Sequence, residues 1–141
     1  MKRKIYNKLK DWKDNRARKE ALLIDGARRV GKSYIVEEFA KNEYTSYILV
    51  NFANMTKELR EIFDNYLNDL DSFFTRLSLW SGVKLYQHET LIIFDEVQLY
   101  PKAREAIKWF VADNRYDYIE TGSLVSIRKN TKGIIVPSEE C

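Results

Sequence analysis

ALLIDGARRVGKSYIVEEFA, residues Ala21 to Ala40, sets a short apolar run directly before a glycine-rich turn and an amphipathic, helix-forming run directly after it. A strand that passes through such a turn into a helix converges its backbone N–H groups on one point, at the positive end of the helix, and that arrangement attracts phosphate. Gly26, Gly31, Lys32 and Ser33 occupy the fixed positions of the pattern GxxxxGK[ST]. The two glycines let the backbone curl round an anion with no side chain in the way. Gly26, Ala27, Arg28, Arg29, Val30, Gly31, Lys32, Ser33 and Tyr34 are therefore the candidate nucleotide-binding residues. In this pattern the Lys32 ammonium reaches the β and γ phosphates and the Ser33 hydroxyl ligates a magnesium ion that bridges them. Arg28 and Arg29, at the tip, either balance triphosphate charge or face solvent. The competing reading, a tight strand-to-helix turn with an incidental Lys-Ser pair, has the flanking strand and helix patterns against it.

Working outward, residues 3–15 carry Ile5, Leu9 and Trp12 at helical spacing and lead through NRARKE into the strand ALLI. The helix after the glycine-rich loop is expected from about Lys32 to Lys41. YTSYILVNF, Tyr44 to Phe52, is rich in β-branched and aromatic residues and reads as a second strand, with Asn51 and Asn54 at its exit. Thr56 is placed to cap a helix bearing Leu59, Ile62, Phe63, Tyr66 and Leu67. A further helix carries Leu70, Phe73, Phe74 and Leu77, with Gly82 just past its end. TLIIFDE, Thr90 to Glu96, is a continuous apolar run that stops at two carboxylates, the mark of a strand covered on both faces. Pro101 opens the helix KAREAIKWFVAD, and the strand YDYIE, 116–120, ends at Thr121, Gly122 and Ser123. Strands alternating with helices in this way call for an α/β fold of three layers, a mainly parallel sheet between helices. GIIVP, residues 133–137, is short and cut by proline, so it reads as loop or a short edge piece. A fifth strand is then absent, and ALLI is expected at an exposed sheet edge through which the chain self-associates.

At 141 residues and 45% hydrophobic, the chain is expected to form one domain, residues 1–141, with a sizeable core. No apolar run approaches the ~18 residues of a membrane-spanning helix, and the basic start MKRKIYNKLK lacks the apolar stretch of a signal peptide, so the expected compartment is the cytoplasm. The one cysteine, Cys141, leaves no internal disulfide or cysteine metal site. The first 20 residues hold nine Lys or Arg against three Asp or Glu, while the whole chain is only +3. Helical spacing makes this end an amphipathic helix with a basic solvated face, and the aromatic and basic interleaving that grips single strands of nucleic acid is missing.

Chemistry is expected where the strands end. Asp95 and Glu96 follow LIIF, at the point where a buried parallel strand opens into a ligand crevice. Asp95 there is the candidate magnesium residue, and Glu96, aimed differently by the strand's alternation, the candidate base for an attacking water. For an isolated pair, a strand running out into a polar loop would suffice; the upstream loop decides between the two. Thr121 and Ser123, at the polar end of the last clear strand, are placed to lie beside both the phosphate loop and the carboxylate pair and to contact the γ phosphate, or to serve as turn residues. His88 reads as a solvated loop histidine.

GARRVGKS, LIIFDEVQ and the strand ending TGSL together resemble the AAA-superfamily ATPases of bacteria and archaea, over most of the chain. More narrowly they are similar to a prokaryotic group with an N-terminal ATPase core and a C-terminal domain of unassigned role. The resemblance implies a P-loop NTPase sheet of order 5-1-4-3-2, ATP and Mg2+ as ligands, and adenine near the N-terminal helix and the start of the first strand. It implies Gly26 to Ser33 as phosphate loop, Asp95 and Glu96 as metal and catalytic carboxylates, and Thr121 or Ser123 as γ-phosphate sensor. The chain ends 18 residues after Ser123, so a sheet of order 1-4-3-2 without fifth strand or helical lid is expected, a core truncated on its C-terminal side. No arginine finger is assignable, Arg128 being unconvincing, so ATP is expected to be bound better than hydrolysed. A small-molecule kinase fits less well, because Glu96 beside the metal residue suits hydrolysis and no arginine-rich lid follows. A non-catalytic ATP-binding interaction module is the other alternative. A GTP switch lacks its NKxD after the carboxylate strand.

Overall fold

Successive side chains of a strand point to opposite faces, so a strand that is apolar throughout needs cover on both. Thr90–Asp95 meets that demand: its first five residues are buried and only Asp95, at its end, is partly exposed. The computed structural model describes residues 2–25, 30–122 and 134–137. In chain order the elements are α1 (Lys2–Asn15), β1 (Leu22–Asp25), α2 (Val30–Glu43), β2 (Ser46–Asn51), α3 (Lys57–Asn65), α4 (Leu70–Ser81), β3 (Thr90–Asp95), α5 (Pro101–Asp113), β4 (Asp117–Gly122) and β5 (Ile134–Pro137). Among the described residues no helix is long and apolar enough to cross a membrane.

The five strands form one sheet in the order β2-β3-β4-β1-β5, every pair parallel. The order 1-4-3-2 expected from the sequence is present. One expectation is corrected: Ile134–Pro137 is a strand, pairing along the whole of β1 from Leu22 opposite Ile134 to Asp25 opposite Pro137. β1 is therefore interior, and the sheet edges are β5 and β2. Proline at the end of an edge strand is tolerated because one side of such a strand makes no ladder bonds. The exposed ALLI edge expected to drive self-association does not exist.

Alternation sorts the core into two layers. Leu22, Ile24, Leu91, Ile93 and Ile119 face α1 and α2, where Ile5, Leu9, Trp12, Ile35, Val36 and Phe39 are buried. Leu23, Ile48, Val50, Ile92, Phe94 and Tyr118 face α3, α4 and α5. Aromatic rings dominate the second layer. Phe110 lies against Phe73 at 5.1 Å, Tyr118 at 5.6 Å and Phe94 at 5.9 Å between ring centres.

Local chemistry sets the helix ends. The Thr56 hydroxyl accepts the Leu59 amide at 3.1 Å and caps α3. Gly82 closes α4 at φ 72°, a conformation that only glycine adopts without cost. Pro101 opens α5, where its missing N–H has no partner to lose. At the amino-end edge of the sheet, buried Asp117 at the start of β4 accepts the Tyr44 hydroxyl at 2.6 Å, and Arg18 lies 3.8 Å away. Burial pushes the Asp117 carboxyl up, against the Tyr44 bond and the Arg18 charge.

Candidate active site

In a parallel sheet every strand delivers its carboxyl end to the same edge, and here that edge collects the sequence-predicted carboxylates. Asp95 is the last residue of β3, Glu96 follows it, and Thr121 lies in the last turn of the pleat of β4. On the far side of β4, the end of β1 is aligned with it, Asp25 opposite Gly122. Val30, Gly31, Lys32, Ser33 and Tyr34 supply the backbone of the first residues of α2, which four residues separate from the end of β1. Gly26, Ala27, Arg28 and Arg29 lie outside the described residues, as do Ser123, Arg128 and Cys141.

Thr121 and Ile119 share the face of β4 that looks toward α1 and α2, and there the Thr121 hydroxyl donates to Asp95 Oδ1. The Thr121 hydroxyl oxygen in turn accepts the backbone N–H of Glu96 at 3.2 Å. One side chain thus orients the carboxylate at the end of β3 and pins the peptide that follows it. Thr121, expected with Ser123 as a γ-phosphate contact or a turn residue, has its hydroxyl on Asp95 and the Glu96 amide.

Glu96 takes φ 58° and ψ 44°, the left-handed region that bulky residues rarely enter, and so turns the chain out of β3 into the one-turn helix Val97–Leu99. Its side chain is 6% exposed, and Gln98 Nε2 donates to its Oε1 at 2.9 Å. Residues 96–100 form the link from β3 to α5.

The donor set suits a small hard cation. Among the described residues no group of three or more His, Cys, Asp or Glu side chains could hold a metal alone. Asp95 is a partly exposed carboxylate backed by the Thr121 hydroxyl, a donor that could take magnesium together with phosphate and water oxygens.

Two charged residues went unassigned in the sequence. Glu120 is 3% exposed in β4, and Arg104 of α5 brings Nε to 3.1 Å from its Oε1. Burial raises the Glu120 carboxyl to about 7, the Arg104 charge opposing the shift. Glu120 stands in DYIETG beside a second carboxylate and a threonine, so nothing in the local pattern distinguishes it from a solvated strand residue. His88 is held in its loop: its Nε2 lies 2.9 Å from the Asn114 carbonyl and its backbone N–H donates to the Arg115 carbonyl at 2.7 Å. It is a structural tie between loops.

A family model described as an AAA domain matches residues 18–133. That span runs from just before β1 to just before β5 and includes every residue of the site. No curated relative matches the chain.

Proposed function

Because the chain belongs to the AAA domain family, a nucleotide-binding and ATPase-like class, we propose that it binds ATP with magnesium and hydrolyses it at the carboxyl edge of its sheet. The observation that carries this reading is the Thr121 hydroxyl, which is bonded at once to the Asp95 carboxylate and to the Glu96 amide. That arrangement ties the carboxylate at the end of β3 to the residue after it, at the same edge of the sheet from which β1 leads on to α2 and its Val30, Gly31, Lys32 and Ser33.

Asp95 and Ser33 would hold the magnesium ion, whose charge neutralises the phosphate oxygens when it is bound. Lys32, with the backbone of Gly26 to Tyr34, holds the phosphates. Glu96 orients a water molecule and takes its proton, from a left-handed backbone position directly after the Asp95 that ends β3. Thr121 keeps Asp95 from swinging out of place. Ser123, next along the chain after Gly122, is the residue assigned to the γ phosphate.

One observation favours a binding-only module instead: Glu96 is buried and its Oε1 is already engaged by Gln98, which competes with a water for that oxygen. Glu96→Gln distinguishes the two readings. If the chain is an ATPase, turnover falls by about a hundredfold or more with ATP affinity retained; a binding module has no turnover to lose. Lys32→Ala removes nucleotide binding in either case, and an unchanged ATP affinity in that variant would sink the loop assignment itself.

A further inference from the structure

Consecutive residues of β4 grip the two ends of the link that carries Glu96. Thr121, on the α2 side of the sheet, holds the β3 end through Asp95 and the Glu96 amide. Glu120, on the α5 side, pairs with Arg104 in the first turns of α5 and holds the far end. Between them lie the strained Glu96, the turn Val97–Leu99 and Tyr100, whose carbonyl accepts the Arg104 amide at 3.3 Å. We propose that Glu120 and Arg104 are positioning residues for the hydrolytic site, keeping α5 seated against β4 so that the Glu96 turn holds its geometry; the inference rests on Glu96 being the base.

The pair is poorly explained as a source of stability. The strand neighbours of Glu120 in register are Leu23 of β1 and Phe94 of β3, both buried and apolar, so an apolar residue at 120 would pack without penalty. Arg104 is the charged group facing it among the described residues, and Arg104 Nε, Arg104 Nη2 and Glu120 Oε1 make no aligned hydrogen bond. Burying two charges with imperfect geometry costs more than their attraction returns. What the pair does supply is a fixed distance between β4 and α5, at the far end of a link whose first residue sits in an unfavourable backbone region and needs outside support to stay there.

The test compares the full chain with Glu120→Gln, which keeps the shape and loses the charge, and with Arg104→Met. Amide hydrogen exchange of residues 96–100, followed by mass spectrometry without nucleotide, is expected to speed several-fold in both variants while amides of β2 keep their rates. In ATP turnover, kcat falls about tenfold or more and KM changes by less than about twofold. The unsubstituted chain also loses kcat as pH is lowered through about 7, where Glu120 takes a proton, and Glu120→Gln lacks that limb. Unchanged exchange at 96–100, or a pH limb that persists in Glu120→Gln, overturns the proposal. Absence of turnover in the unsubstituted chain would instead count against the hydrolysis reading, and the exchange measurement would still decide whether the pair holds the link.

Discussion

Replacing Glu120 by glutamine should make the protein more stable, by an amount that depends on pH. Burial lifts the Glu120 carboxyl from 4.5 to about 7, net of the opposing Arg104 charge. The folded state therefore binds the proton more tightly than the unfolded chain, and stability present below pH 4.5 is lost as pH rises through about 7. The difference corresponds to about 3 kcal/mol above pH 7. Glutamine mimics the protonated acid at every pH. At pH 8 the variant should gain about that amount, a rise in Tm of roughly 10 °C for a chain of this length. At pH 5 the unsubstituted protein already carries the proton, and the gain should shrink below about 1 kcal/mol. Paired thermal and urea unfolding curves at the two pH values measure it. A stability difference independent of pH, or a variant less stable at pH 8, would show that the buried carboxylate is well compensated and that the reasoning about its role is wrong. A stability cost kept at the edge of a site is what a positional requirement produces.

Thr121→Val keeps the side-chain shape but strips Asp95 of a donor and the Glu96 amide of its acceptor. It should cost about 1–3 kcal/mol in urea unfolding and lower kcat with ATP affinity retained; a loss confined to ATP affinity would show that Thr121 serves the nucleotide directly. Phe110→Ala opens a cavity among Phe73, Phe94 and Tyr118 and should cost about 3–5 kcal/mol, read from the same curves. A cost below about 1 kcal/mol there would mean that α5 is not seated on the sheet as described.

The features legible in the sequence are those decided by near neighbours. Thr56, Gly82 and Pro101 act within a turn of their own position, and each caps or opens the helix expected of it. The run from Leu91 to Phe94 announces a doubly covered strand because burial on both faces demands it. β5 was not legible, since four residues ending in proline form a strand only when β1, more than a hundred residues earlier, offers an edge. The site divides in the same way. Asp95 and Glu96 are marked by their place after an apolar strand, whereas the pairing of Glu120 with Arg104 joins two elements whose packing no local pattern encodes. Thr121 stands between these cases: its place was readable, its partners were not.

Glu96, turned out of β3 with its amide held by Thr121, is proposed as the base of a magnesium-dependent ATP hydrolysis. The most direct measurement is steady-state ATP turnover with magnesium by the chain and by Glu96→Gln, alongside ATP affinity for each. With Glu96 as the base, turnover is expected in the first, a loss of about a hundredfold or more in the second, and affinities that agree within about twofold. Equal turnover in the two proteins would contradict it.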